Sequence, residues 1–250
     1  MSASWEDARV RAGLTRQLAM RTRMLEAGVA AIGWKVGFGS PSALELMQIG
    51  APLIGFLTDA TLLESGAWVD VAGWQRGIVE FEVAVYLGED LGPEASDQEA
   101  RAAVSAVGPA IELADVDLAV GAASLEEILA CDIFHKGVIL GVPDEERAGL
   151  AIGGLIARVL IDGREVVRTA DLQAITGAYS SIVTTVADTL AANGEVLRKG
   201  DVIITGSVVP PIPVSEGTEF VFALDPFHPI SVRVGASADE STAKPLLKRR

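Results

Sequence analysis

Between Ile78 and Leu87 hydrophobic and polar positions alternate: Val79, Phe81, Val83, Val85 and Leu87 fall on one face, Glu80, Glu82, Ala84 and Tyr86 on the other. A period of two predicts a β-strand with its Val/Phe side in a core. Pro109 to Asp115 repeats the pattern, with Ala110, Glu112 and Ala114 sharing a face. One strand thus carries two acids on one side, and a second strand carries a third.

Elsewhere the period lengthens. Ser4 to Ala27 holds Val10, Leu14, Leu18 and Leu25 at helical spacing, with Arg9, Arg16 and Arg23 on a basic face, a Ser4/Asp7 capping box and Gly28 as the stop. Gly33 to Gly39 reads as a glycine-spaced strand, followed by a short helix opened by Ser40-Pro41 and closed at Gly50. Further strands are expected near Ile54, Trp68 and Val79. Ser96 with Glu99 and Ser124 with Glu127 mark helices on either side of the Glu112 strand. Asp162-Gly163 predicts a hairpin over Leu155 to Thr169, and Asn193-Gly194 closes a helix over Tyr179 to Ala192. The rest, to Val234, is strand-rich. With no internal repeat or composition break, the order predicts an α+β protein: a helical arm (1–30), a single domain (31–234) and a solvated tail (235–250).

Composition narrows the function classes. The chain has 250 residues, half of them hydrophobic, enough for one large core. Its formal charge of −14 opposes nucleic acid and anionic lipid as partners. The first residues hold no apolar signal region, and no uncharged apolar run reaches membrane-spanning length, so a soluble cytoplasmic protein is expected. Cys131 is the only cysteine, which excludes an internal disulfide and a thiolate metal cluster; it reads as a small apolar filler.

The candidate chemistry centres on the acids. Two ionised carboxylates on one strand face repel unless a cation or protons intervene, and three hard oxygen donors suit Mg²⁺ or Mn²⁺ better than zinc. The alternative is that Glu80 and Glu82 occupy the wet face of an edge strand. Lys35 interrupts an apolar strand, where it either offsets such charge or points to solvent. Asp59 ends a strand as an acid/base candidate or a turn acceptor. His135 and Lys136, after Asp132, are placed in a loop suited to substrate contact or to plain exposure. Thr205, Gly206 and Ser207 end a strand where glycine permits close approach, able to cradle a carboxylate or merely to turn. His228 is expected to pack or face solvent. The glycines around Lys35 match no dinucleotide or phosphate-loop pattern, and no serine-nucleophile elbow is present.

Gly33-Trp34-Lys35-Val36-Gly37, Glu80-Phe81-Glu82, Ile111-Glu112 and Gly200-Asp201-Val202-Ile203-Ile204-Thr205-Gly206-Ser207, in this order and spacing, resemble the 2-keto-4-pentenoate hydratase and 4-oxalocrotonate decarboxylase family of the fumarylacetoacetate hydrolase superfamily. The resemblance spans the first helix to Val234. It implies a mixed β-sandwich or roll core with flanking helices and a homo-oligomer, in some cases associated with a paralogous pathway enzyme. It further implies Mg²⁺ or Mn²⁺ on Glu80, Glu82 and Glu112, with Lys35 and Asp59 as the active-site lysine and aspartate. The implied activity is hydration of 2-hydroxypenta-2,4-dienoate-like acids from aromatic ring cleavage, in which the metal-bound dienolate is stabilised and water adds at C4. Two departures stand out. Asp132-Ile133-Phe134-His135-Lys136 replaces a small polar Asp-Asn-Ala-Ser loop, and Val183 to Ala191 replaces a Trp-Leu-Ala-Asn run.

Two further activities and one non-catalytic role compete. A decarboxylase acting on an oxalocrotonate-like diacid would use the same metal site. A hydrolase of acylpyruvates typically carries an early His-Glu pair, and here no histidine precedes His135. A non-catalytic subunit stabilising a paralogue sits poorly with intact metal acids.

Overall fold

The computed structural model describes residues 4–116 and 124–236. Among these residues the elements follow in the order α1 (Ala8–Glu26), β1 (Ala31–Gly37), α2 (Pro41–Met47), β2 (Leu53–Thr58), β3 (Leu62–Leu63), β4 (Ala67–Asp70), β5 (Gly77–Leu87), α3 (Asp97–Ala103), β6 (Val104–Asp115), α4 (Leu125–Ala130), β7 (His135–Leu140), β8 (Ile156–Ile161), β9 (Arg164–Thr169), α5 (Tyr179–Ala192), β10 (Val202–Ser207), β11 (Ile212–Pro213), β12 (Thr218–Asp225) and β13 (Ile230–Gly235). The larger sheet runs β2-β1-β10-β5-β6-β7-β3, with β11 added beside β5; the smaller runs β4-β13-β12-β8-β9.

The alternation in β5 decides how the sheets stack. Val79, Phe81, Val83 and Val85 are fully buried in the main core, where the Phe81 ring lies 5.5 Å from that of Phe222 and 6.4 Å from that of Phe220 on β12. Tilted aromatic pairs at this spacing join the two sheets. The opposite face of β5 and β6 carries the acids, followed toward the other end by a small cluster of Ala84, Ala110, Val138 and Ile204. Helices cover the flanks, and the mixed α+β roll expected from the sequence is the fold observed.

Local signals held with small shifts. Asp7, not Ser4, caps α1, because its extended backbone lets the carboxylate accept from Arg9 N while Ser4–Glu6 forms a separate 3-10 turn. The Ser96/Glu99 capping box is complete. α1 packs on α4, with Val10 and Leu14 buried beside Leu129 and Ile133. β13 continues through Gly235, which pairs with Asp70, so the expected tail begins at least one residue later; positions 237–250 lie outside the described residues. His135 and Lys136 open β7 rather than a loop, because the pairing with β6 extends, past a register shift, to Ala114↔His135. Cys131 is exposed, not a core filler.

Candidate metal centre and cavity

β5 and β6 are antiparallel in a register that sets Glu80 opposite Glu112 and Glu82 opposite Ala110. Because Glu80 and Glu82 share a face, all three carboxylates converge, with one oxygen from each inside a 4.8 Å group. Glu82 and Glu112 are completely buried. Glu82 Oε2 accepts from the Gly206 amide at 2.6 Å, while Glu82 Oε1 and Glu112 Oε2 have no hydrogen-bond partner among the described residues. Two buried, unpartnered carboxylate oxygens facing a third acid form the donor set that a hard divalent cation requires.

Gly206 reaches Glu82 through a bulge. β10 pairs with β5 through Ile204↔Ala84 and resumes at Ser207↔Glu82, so Thr205 and Gly206 fall in the irregular step. Gly206 has φ +88°, open to glycine, and its N–H turns toward the acid. Thr205 donates to Val83 O, and Ser207 Oγ accepts from Phe81 N. These two hydroxyls therefore lock the bulge to β5.

Lys35 is 2% exposed and pairs with Glu112 Oε1. Its ammonium also donates to Ile133 O at 3.2 Å. Burial opposes the Lys35 charge, but Glu112, Asp132 and Glu80 outweigh it and hold the lysine above its ordinary range. Burial likewise works against Glu112, yet Lys35 and His135 keep that acid ionised and below its usual value. The opposite result holds for its neighbours: burial and then Glu112 push Glu80 up to about 7 and Glu82 well above the carboxylate range. Metal-free, the cluster therefore keeps protons that a cation would displace.

Asp132, Ile133 and Phe134 all have positive φ, of 54°, 51° and 64°. Three successive left-handed residues, one of them β-branched, are costly and persist only when fixed from several sides. Asp132 Oδ1 accepts from Phe56 N at 2.9 Å and from the buried Gln17 amide of α1 at 3.1 Å. Burial pushes Asp132 up to about 8, against the pull of Lys35. This strap arches over Lys35, and glycines make room for it. A Cβ on Gly55 would lie 2.6 Å from Lys35 Cγ and 2.8 Å from Asp132 Oδ1, and one on Gly37 would lie 2.8 Å from Ile133 Cγ2.

A cavity of about 230 Å³ opens at this point, lined by Lys35, Glu80, Thr205, Gly206 and Ser207 and continuing over apolar side chains. The structure thus brings together Lys35, the three glutamates and the Thr205–Ser207 turn. Asp59 is not among them: it is exposed, and its carboxylate accepts from Ala30 N at 2.9 Å, fastening the start of β1. His135 stands behind the acids, with Nδ1 2.7 Å from Glu112 Oε1 and Nε2 3.0 Å from Thr61 Oγ1. Its burial keeps the imidazole below its normal pKa despite Glu112, so at neutral pH Nδ1–H donates to the carboxylate. Lys136 points away and is exposed, as is His228. Gln17 and Thr61 gave no sequence signal, being single polar residues in ordinary helix and turn contexts. Asp132 was marked only as the first residue of the departing loop.

The model for the fumarylacetoacetate (FAA) hydrolase C-terminal domain matches residues 35–234. Among curated relatives, a 4-oxalocrotonate decarboxylase of Pseudomonas sp is 28% identical over 193 residues, covering 77% of this chain and 74% of the relative. A 2-hydroxyhexa-2,4-dienoate hydratase of Comamonas testosteroni is 27% identical over 215 residues, covering 84% and 81%. The solved 4-oxalocrotonate decarboxylase from Pseudomonas putida G7, complexed with magnesium and adipate, superposes with a TM-score of 0.77 at 24% identity over 87% of this chain and 83% of that one. These relatives are enzymes, and with four-fifths of its length covered by the domain model this chain belongs to the fumarylacetoacetate hydrolase family.

Proposed function

We propose that the chain is a divalent-metal-dependent hydro-lyase acting on 2-hydroxypenta-2,4-dienoate-like acids in aromatic meta-cleavage catabolism. The observation that carries this is the trio Glu80, Glu82 and Glu112 with two orphaned buried oxygens, set beside a buried lysine at the floor of a cavity. A dienoate hydratase among the relatives supports the substrate class. We further take the protein to work in the cytoplasm as a homo-oligomer.

In this assignment Glu80, Glu82 and Glu112 hold Mg²⁺ or Mn²⁺, which when bound supplies Lewis acidity toward the carboxylate and 2-oxygen of the substrate. Three carboxylates and one ammonium sum to −2, which a dication cancels, so a monoanionic headgroup enters a neutral site. Lys35 would offset negative charge on a substrate bound in the cavity, at no reorganisation cost because Glu112 and Ile133 O already hold it. The Gly206 amide orients Glu82, and His135 orients Glu112. Asp59 and Lys136 take no part.

Decarboxylation of an oxalocrotonate-type acid is the second reading, favoured by the decarboxylases among the relatives. Both are tested by NMR of the products formed from 2-hydroxypenta-2,4-dienoate with added Mg²⁺ or with chelator. Metal-dependent 4-hydroxy-2-oxopentanoate supports the hydratase; no turnover, with CO₂ release from 4-oxalocrotonate, favours the decarboxylase.

A further inference from the structure

The far end of the cavity has a definite chemistry. On the face that carries Glu80 and Glu112, the next residues outward along β5 and β6 are Ile78 and Ala114, themselves partners in register. Both line the cavity, as do Val116, Ile175 and the strap residues Ile133 and Phe134. The strap is the segment in which this chain departs from the small polar loop of the family it resembles, and its left-handed turn leaves the two apolar side chains in the cavity wall.

Among the described residues, positive charge in the cavity lining is confined to the end that carries Glu80. Among the described residues lining the cavity, Lys35 is the one cation, and Glu112 already engages it. Arg76, next on the Ile78 face, is exposed and outside the lining. A carboxylate at the distal end of a substrate would be stripped of water against aliphatic and aromatic groups without a counter-charge, whereas a hydrocarbon end gains from the same wall.

We propose that the wall formed by Ile78, Ala114, Ile133 and Phe134 makes the enzyme selective for monoacids with an uncharged hydrocarbon tail and rejects substrates bearing a second, distal carboxylate. This rests on the headgroup assignment above and deepens it: the same metal centre serves both readings, and the wall favours the monoacid hydratase over the diacid decarboxylase.

The test uses Mg²⁺-loaded full-length protein and two unreactive saturated probes, 2-oxohexanoate and 2-oxoadipate, titrated by calorimetry. The monoacid is expected to bind at least about tenfold more tightly, and Ile78→Lys, at the half-buried rim, to narrow or reverse that ratio. Equal or tighter binding of 2-oxoadipate to the wild type overturns the selectivity while leaving the headgroup assignment in place. Binding of neither probe removes the headgroup assignment and the selectivity with it. Should Ile78→Lys fail to fold by circular dichroism, the wild-type ratio alone decides.

Discussion

Lys35 on β1 forms an ion pair with Glu112 on β6, although β10 and β5 lie between their strands. At about 4.8 Å per strand the two backbones would stand roughly 14 Å apart in a flat sheet. The two long side chains span much of that distance across one face, with the β10 irregularity at Thr205-Gly206 between their strands. The site is thus a product of strand order as well as of residue choice.

Removing one acid separates binding from folding. Glu82→Ala deletes a ligand and also a fully buried carboxylate with one orphaned oxygen. Turnover and Mg²⁺ affinity are expected to fall by more than about 100-fold, since even outer-shell changes cost about 10- to 100-fold. In chelator the variant should melt no lower than the wild type, because it removes a fully buried carboxyl that must hold a proton to escape repulsion and that leaves one oxygen unpaired. Calorimetric metal titration and thermal melts check both, and unchanged turnover would sink the metal-site proposal.

Metal binding should expel protons. Glu80 titrates near 7 and Asp132 near 8 in the folded chain, both raised above their unfolded values. Between the unfolded and folded pKa the native state holds protons that the unfolded chain has lost, so the contribution of these two acids to the stability of the metal-free protein falls as pH rises from about 4 to 8. A cation that charges Glu80 reverses its contribution, so Mg²⁺ affinity is expected to rise from pH 6 to 8. Titrations in buffers of different ionisation enthalpy measure the proton release; a pH-independent affinity would contradict the assignment.

Gly55 makes room for Lys35. Gly55→Ala would force Lys35 and Asp132 from their positions, given the 2.6 Å and 2.8 Å approaches of the added Cβ. Overpacking of this kind costs about 1–3 kcal/mol. We expect a lowered melting temperature and a loss in kcat, checked by calorimetry and steady-state assay.

The N-terminal helix is expected to support the site through one bond. Gln17→Leu keeps the volume of a buried side chain but leaves Asp132 Oδ1 with Phe56 N alone. Loss of a buried partner costs about 1–3 kcal/mol, and a looser strap should lower kcat more than it raises KM. A variant with wild-type kcat and only a shifted melting point would confine Gln17 to a structural part.

Replacing Ile133 pits two terms against each other. Ile133→Gly relieves a left-handed β-branched residue, a gain of about 1–2 kcal/mol, but removes a side chain that is 4% exposed, a loss of about 2–5 kcal/mol. Net destabilisation is expected in a denaturant titration. A stabilised variant would show that strap strain exceeds its packing.

The local signals were legible because they are written within a few residues. Alternation over Ile78–Leu87 located both faces of β5, the Ser96/Glu99 box and Asn193-Gly194 located helix ends, and Asp162-Gly163 located a hairpin. The same alternation identified Glu80, Glu82 and Glu112 as acids on strand faces, and the interrupted strand around Lys35 identified the lysine. For Asp59 and His135 the sequence left two alternatives each, because a strand end and a short loop look alike in sequence whether or not they turn inward; Asp59 takes the backbone-acceptor alternative, and His135 opens β7 instead of lying in a loop.

From the sequence alone came the elements, their buried faces and the identity of the charged residues, since these follow from periodicity and capping chemistry between neighbours. Only the tertiary structure decided which of them meet. Gln17 reaches Asp132 across 115 positions, and Lys35 reaches Glu112 across two intervening strands. Strand order, strand register and the left-handed strap are set by packing over the whole core, and none has a local signature.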